Sequence, residues 1–311
     1  MKGVTGTLLH DAAAGVSAPF GHALVAAAEK DARIVGMTAD LGKYTDLLPF
    51  AERFPERYIQ AGMAEQNLIG MAAGLARTGF VPFATTYAVF ATRRAYDFIA
   101  IGAALSGTNV KIIAGLPGLT TGYGGTHQGI EDLALMRSIP NLTVIDPCDA
   151  TEIEQAVPAI AAHRGPVYMR LLRGQVPRVL DASYRFEIGR AKLLREGEDV
   201  AIISTGLMTA RALEAAERLD AAVLHVSTLK PFDREAVAAL LRRIPNVVTA
   251  ENHVVTGGLA SAVADLAVDL GLRIRLRRVG IPDCFCESGS LPYLQKRYGL
   301  DVEAVVAAAK A

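Results

Sequence analysis

The sequence predicts an α/β protein of two parallel or mixed sheets in succession, each covered by helices on both faces to make a three-layer domain. Three observations carry this. Short β-branched runs alternate with Ala-rich stretches of helical period, the pattern of repeated strand–helix–strand units. The chain is 51% hydrophobic, rich in Ala, Val, Leu and Gly, as buried parallel sheets are. The alternation stops once, over 174–198, where Pro, Gly and scattered charges replace any clear period. A length of 311 residues suits two domains, each able to bury a core.

In chain order, the first series predicts strands at 33–38, 58–61, 81–86, 110–115, 142–146 and 167–171. Helical stretches over 64–77, 90–105 and 151–162 lie between them. The second series predicts strands at 200–204, 222–225, 246–250 and 274–279, with helices over 208–218 and 234–243. The break between the series sets the division: a first domain over 1–178, a linker over 179–192 and a second domain over 193–311.

Composition excludes several classes of function. The 32 basic residues balance 32 acidic ones and form no basic block, which argues against nucleic acid as a partner. Three cysteines without a CxxC pair point to a reducing compartment. Cys284 and Cys286 have no second Cys/His cluster to complete a metal site, so they read as ordinary cysteines and no metal is expected on this chain. No long apolar segment opens the chain, and no run of about 20 apolar residues follows, so a cytoplasmic protein without a membrane partner is expected.

In open α/β sheets ligands bind beyond the carboxyl ends of the strands. The residues following the predicted strands are Asp40, Glu65, Tyr87 with Phe90, the 120–127 loop, 146–149 and Arg173, a polar and aromatic rim. Glu65 stands where a strand gives way to a helix rich in Ala and Gly. It reads either as a helix-start carboxylate or as a buried acid for proton transfer. Tyr87, Phe90 and Arg93 are spaced by three, so on a helical turn they share a face. They either hold a flat heterocycle or belong to the core. His127 follows a Gly-rich loop and is the best single candidate for proton transfer near neutral pH. Arg173 could bind a phosphate or carboxylate, or pair with a surface acid.

Together these segments resemble the second half of the transketolase family, which includes deoxyxylulose-phosphate synthase. The resemblance rests on AEQN at 64–67, Tyr87-x-x-Phe90, Thr126-His127-Gln128 with Glu131-Asp132, and Arg173-Gly174. Ile281-Pro282-Asp283 and Glu287-Ser288-Gly289 extend it towards the C-terminus. It implies a thiamine-diphosphate pyrimidine-binding domain followed by a transketolase C-terminal domain. It also implies roles. Glu65 would share a proton with N1′ of the aminopyrimidine, favouring the imino tautomer whose 4′-imine deprotonates thiazolium C2. Tyr87 and Phe90 would pack on the pyrimidine, with Arg93 beside them. Asp40 would lie near the thiazolium end, His127 would attend the substrate oxygens, and Arg173 would bind the sugar phosphate.

The family's diphosphate site is marked by GDG followed by an Asn, and this chain has no GDG. The resemblance therefore implies a separate N-terminal transketolase subunit that holds the diphosphate and Mg2+, in an α2β2 assembly sharing the cofactor. Two positions depart from the family. Tyr123 stands where most members carry an aspartate that contacts a sugar hydroxyl, and no histidine opens the loop at 115–117. These departures suggest a branched or modified sugar phosphate, such as apulose 4-phosphate or a sulfosugar, in a two-carbon ketol transfer. The alternatives are the β subunit of a 2-oxoacid dehydrogenase E1 component and a non-catalytic α/β regulatory subunit. Glu251-Asn252-His253, at a predicted strand end, reads as structural or interface in use.

Overall fold

A computed structural model of the chain describes residues 15–181 and 183–311. The reading of the chain's opening as lacking a long apolar segment falls on residues that lie largely outside this range. Among the described residues no helix is long and apolar enough to cross a membrane.

The expected α/β architecture is present as two large sheets, beside a two-stranded antiparallel pair of Val16–Ser17 with Gln175–Val176. The first has seven strands. Six of them run parallel: Thr143–Ile145, Val167–Leu171, Lys111–Gly115, Val81–Tyr87, Ile34–Thr38 and Tyr58–Gln60, in that spatial order. The seventh, Thr228–Lys230, comes from the second half of the chain and pairs antiparallel with Thr143–Ile145 at the edge. The second sheet has five strands in the order Arg275–Ile281, Asn246–Val254, Val200–Ser204, Ala221–His225 and Lys192–Arg195. Its last strand is antiparallel to its neighbour and the others are parallel.

Strand alternation builds the three layers. Val81 and Phe83 point into one core with Phe20 and Leu24 of helix Pro19–Ala28 and Ile153 and Val157 of helix Ala150–Ala162. Ala84 points the other way, among Leu68 and Ile69 of helix Glu65–Arg77 and Ala91 and Ala95 of helix Ala88–Asp97. The second sheet repeats the device. Val200 and Ile202 face Met208 and Ala212, whereas Ala201 and Ile203 face Val237, Leu241 and Val263. Each core runs continuously through both halves, so the halves share apolar packing as well as a strand. Full burial of each such aromatic or branched aliphatic side chain is worth roughly 1.5–3 kcal/mol. The helix predicted over 90–105 begins at Ala88 and widens into a π-helical ladder over Phe98–Leu105.

Candidate active site

Beyond the carboxyl ends of the first sheet lies a cavity of about 500 Å3, lined by Ala39, Asp40, Leu41, Tyr44, Met63, Glu65, Tyr87, Phe90, Arg94, Tyr123, Thr126 and His127. Each wall comes from a strand end. Asp40 follows strand Ile34–Thr38 in the left-handed region (φ 59°). Its backbone N–H donates to Gln60 Oε1 at 2.7 Å, and Gln60 Nε2 donates back to Asp40 Oδ1 at 3.1 Å. Strand Val81–Tyr87 passes directly into helix Ala88–Asp97, which sets Tyr87 at the turn and Phe90 one turn on, ring centroids 5.6 Å apart.

Glu65 is the first residue of helix Glu65–Arg77 and is 2% exposed. The helix N-terminus favours its negative charge, but its specific partner is a guanidinium. Arg94 Nη1 donates to Glu65 Oε1 at 2.9 Å, and the Arg94 guanidinium carbon stands 3.9 Å from the centroid of the Phe90 ring. The sequence reading missed Arg94. The available signal was its place four residues after Phe90, the second spacing that puts helical side chains on one face.

His127 is ringed by aromatics: Phe90 at 5.4 Å, Tyr123 at 5.7 Å and Tyr87 at 6.3 Å between ring centroids. Its Nδ1 meets the Thr126 hydroxyl at 2.9 Å, which leaves Nε2 for another partner. Burial holds the Tyr87 phenol above its ordinary range, so that wall stays uncharged at neutral pH.

The loop carrying His127 is braced by the second domain. Gly118 has φ 58°, and a Cβ there would lie 2.1 Å from the backbone oxygen of Asn252, so only glycine lets the two backbones approach. Asn252 Oδ1 accepts the Leu119 N–H at 2.8 Å, and its Nδ2 donates to the Pro117 oxygen at 3.3 Å. Gln128 Nε2 donates to Thr121 O at 3.1 Å and to Glu287 O at 3.3 Å. The Gly289 N–H donates to Gly122 O at 3.1 Å. Glu251 and His253 flank this brace. Glu251 accepts the N–H groups of Leu259 and Ala260, capping the following helix, and His253 Nε2 accepts the Ala134 N–H at 3.2 Å. The Glu251–His253 triplet is thus an interdomain joint, away from the cavity.

Two of the sequence-derived site residues lie outside the cavity wall. Arg93 is drawn away from the cavity lining, forking onto Glu131 and donating to Gly125 O at 2.9 Å. Arg173 lies near enough to Tyr87 for its positive charge to act on the phenol, and its buried Nε has no hydrogen-bond partner among the described residues.

The domain junction also buries two charged networks. In one, Arg170 forks onto Asp132, which also accepts the Tyr168 hydroxyl at 2.6 Å, and reaches Asp146 at 3.2 Å. Burial pushes Asp146 up to about 6 despite Arg170. In the other, His225 Nε2 meets Glu152 Oε2 at 2.9 Å and His225 Nδ1 meets Thr209 Oγ1 at 2.7 Å. Cys148 lies beside this pair, close enough for the three side chains to meet a metal ion. Glu152 is already engaged by His225, the Tyr184 hydroxyl and the Cys148 N–H, and burial holds the Cys148 thiol well above its ordinary range. The group therefore acts as a hydrogen-bonded strut.

Comparison with known proteins agrees with this architecture. The profile of the transketolase pyrimidine-binding domain matches residues 13–178, and that of the transketolase C-terminal domain matches residues 189–305. An uncharacterized transketolase family protein of Sinorhizobium fredii (strain NBRC 101917 / NGR234) is 58% identical, over 94% of this chain and 87% of that protein. A 6-deoxy-6-sulfo-D-fructose transketolase subunit of Clostridium sp. (strain MSTE9) is 46% identical, over 91% of this chain and 89% of that one. Against a 1-deoxy-D-xylulose-5-phosphate synthase of Desulforudis audaxviator (strain MP104C), 37% identical, the chain spans only 49% of the relative's length. Among solved structures, a split-gene transketolase described as an inactive beta4 tetramer superposes with a TM-score of 0.87 at 45% identity, covering 94% of this chain and 96% of that one. With both domain profiles matched in order over most of its length, this chain belongs to the transketolase family.

Proposed function

We propose that this chain is the pyrimidine-binding subunit of a split, thiamine-diphosphate-dependent transketolase that moves a two-carbon ketol unit between sugar phosphates. The observation that carries this is Glu65, a carboxylate 2% exposed on the wall of a cavity whose other walls are Phe90, Tyr87 and His127. An aminopyrimidine offers a flat face and a ring nitrogen that accepts a proton. The aromatic wall and the buried acid suit those two features. Glu65 would hold a proton at ring nitrogen N1′, while Tyr87 and Phe90 pack on the ring and Asp40 lies towards the thiazolium end. His127 Nε2 would hydrogen-bond the substrate oxygens and exchange a proton there, and Arg173 would attract the phosphate. The bound cofactor supplies the electron sink for making and breaking a carbon–carbon bond beside a carbonyl.

The diphosphate and Mg2+ are assigned to a separate subunit. The absence of GDG supports this, as does the chain's match to about half of the longer synthase but to 89% of a relative called a subunit. An α2β2 assembly is supported by apolar surface on Phe98, Ile101 and Leu105, which are 43%, 53% and 73% exposed. Gly70 and Gly74 leave bare backbone on the exposed face of the helix headed by Glu65. The domain division at 1–178 and 193–311 belongs to the same proposal, as does a reducing, cytoplasmic setting in keeping with three free cysteines.

The substrate is proposed to be a modified sugar. Tyr123 lines the cavity where most of the family is expected to carry an aspartate, and one relative bears the name of a sulfosugar transketolase subunit. The test is turnover by the chain reconstituted with its diphosphate-binding partner. Apulose 4-phosphate or 6-deoxy-6-sulfofructose is expected to outrun xylulose 5-phosphate. Equal or faster turnover of xylulose 5-phosphate would remove the modified-sugar reading. Full activity of the chain without a partner would remove the split-enzyme reading.

A further inference from the structure

We propose that Arg94 is a built-in placeholder for the pyrimidine ring, occupying Glu65 and the face of Phe90 until the ring displaces it. The inference rests on the pyrimidine-pocket reading of the cavity and adds what fills that pocket in the lone chain. Both features an aminopyrimidine needs are already taken by one side chain. Arg94 Nη1 lies 2.9 Å from Glu65 Oε1, and its guanidinium carbon lies 3.9 Å from the Phe90 centroid. A guanidinium resembles the ligand in the relevant respects: it is flat, delocalised and rich in N–H groups. Two flat groups cannot share one aromatic face at contact distance, so the arriving ring has to move Arg94.

Arg94 is the group able to move. Its side chain is 48% exposed, and it donates a hydrogen bond to Glu65. Its neighbour Arg93, by contrast, is anchored by Glu131 and Gly125. The arrangement also solves a problem of the empty pocket. A carboxylate 2% exposed and without a partner would be strongly unfavourable, and Arg94 neutralises it. Ligand binding is weakened by whatever fraction of the chain holds Arg94 in place. A subunit built this way takes up the pyrimidine weakly by itself, and well once contacts from elsewhere add to the affinity.

The test uses the full chain and the fragment 4-amino-2,5-dimethylpyrimidine, which lacks diphosphate and thiazolium. Dissociation constants are measured by NMR titration for the wild type, Arg94→Met, Arg94→Lys and Glu65→Gln, and thermal melts confirm folding. Losing an ion pair whose Arg94 end is half exposed, together with a cation–π contact, should tighten binding by about fivefold to thirtyfold in Arg94→Met. Arg94→Lys, which restores the charge but not the plate, should fall between Arg94→Met and wild type. Glu65→Gln should bind worst. Binding by Arg94→Met equal to or weaker than wild type overturns the placeholder while leaving the pocket reading intact. Binding to neither protein, with no shift at Tyr87, Phe90 or His127, overturns the pocket reading and the placeholder with it.

Discussion

Replacing Asn252 with alanine takes away the side chain by which the second domain grips the histidine loop. The amide satisfies the buried Leu119 N–H at 2.8 Å and the buried Pro117 oxygen at 3.3 Å. A buried polar group left without its partner costs about 1–3 kcal/mol. The two orphaned groups therefore set an upper range of roughly 2–6 kcal/mol, and one water that satisfied either of them would bring the loss down to about 1–3 kcal/mol. Asn252→Ala should accordingly lower the urea midpoint and raise amide exchange at Leu119. It should also reduce turnover of the reconstituted enzyme, because His127 loses the registration of its loop. Asn252→Asp retains the acceptor for Leu119 but sets a buried carboxylate oxygen against the Pro117 oxygen, so it should be no more stable than alanine. A stability loss under about 0.5 kcal/mol with unchanged exchange at Leu119 would refute the bracing role.

Three further outcomes follow from the same geometry. Tyr123→Asp should shift the reconstituted enzyme towards xylulose 5-phosphate, measured as a rise in relative kcat/KM; no shift would detach Tyr123 from substrate choice. Arg93→Ala breaks the fork to Glu131 and should leave pyrimidine binding within about twofold of wild type, since that pair is partly exposed. A large loss of affinity would return Arg93 to the site. The third concerns pH. Burial alone would push His225 down, but Glu152 overrides it and raises the imidazole, so its stabilisation is full below about 6.5 and fades as pH rises through the raised value. Glu152 is held low against burial by His225, so its contribution is full above about 4.5 and is lost on acidification. The stability gap between wild type and His225→Gln should thus be widest between about pH 4.5 and 6.5. A gap that widens above neutral pH would contradict this assignment.

Much of the fold was legible because buried parallel strands write themselves as local apolar runs. The runs at 81–86, 110–115 and 200–204 correspond to strands within a residue or so of their observed ends. Residues at strand ends were legible for the same reason: Asp40, Glu65, Tyr87, Phe90, Tyr123 and His127 all line one cavity once the sheet is built. What local pattern could not reveal is set by tertiary pairing. Thr228–Lys230 is three residues long, too short to show a period, and is a strand only because Thr143–Ile145 lies beside it. Arg170 sits inside an apolar strand, and its partners Asp132 and Asp146 come from other elements. Arg93 and Arg94 are adjacent and both stand at helical spacings from Phe90, so the choice between them depended on where strand turned into helix. That turn falls at Ala88, which sends Arg94 over the ring and Arg93 towards Glu131.

The central claim is that Glu65 handles a proton on a bound aminopyrimidine, and one substitution addresses it. Glu65→Gln keeps the shape of the side chain and removes the exchangeable charge. The measurement is ketol-transfer turnover by this variant reconstituted with the diphosphate-binding partner, beside its thermal melt and its assembly with that partner. The expected result is a folded, assembling protein whose turnover falls by about a hundredfold or more, the lower range for loss of an acid–base group. Turnover within a few fold of wild type would show that Glu65 is a helix-start carboxylate and that the proton is handled elsewhere.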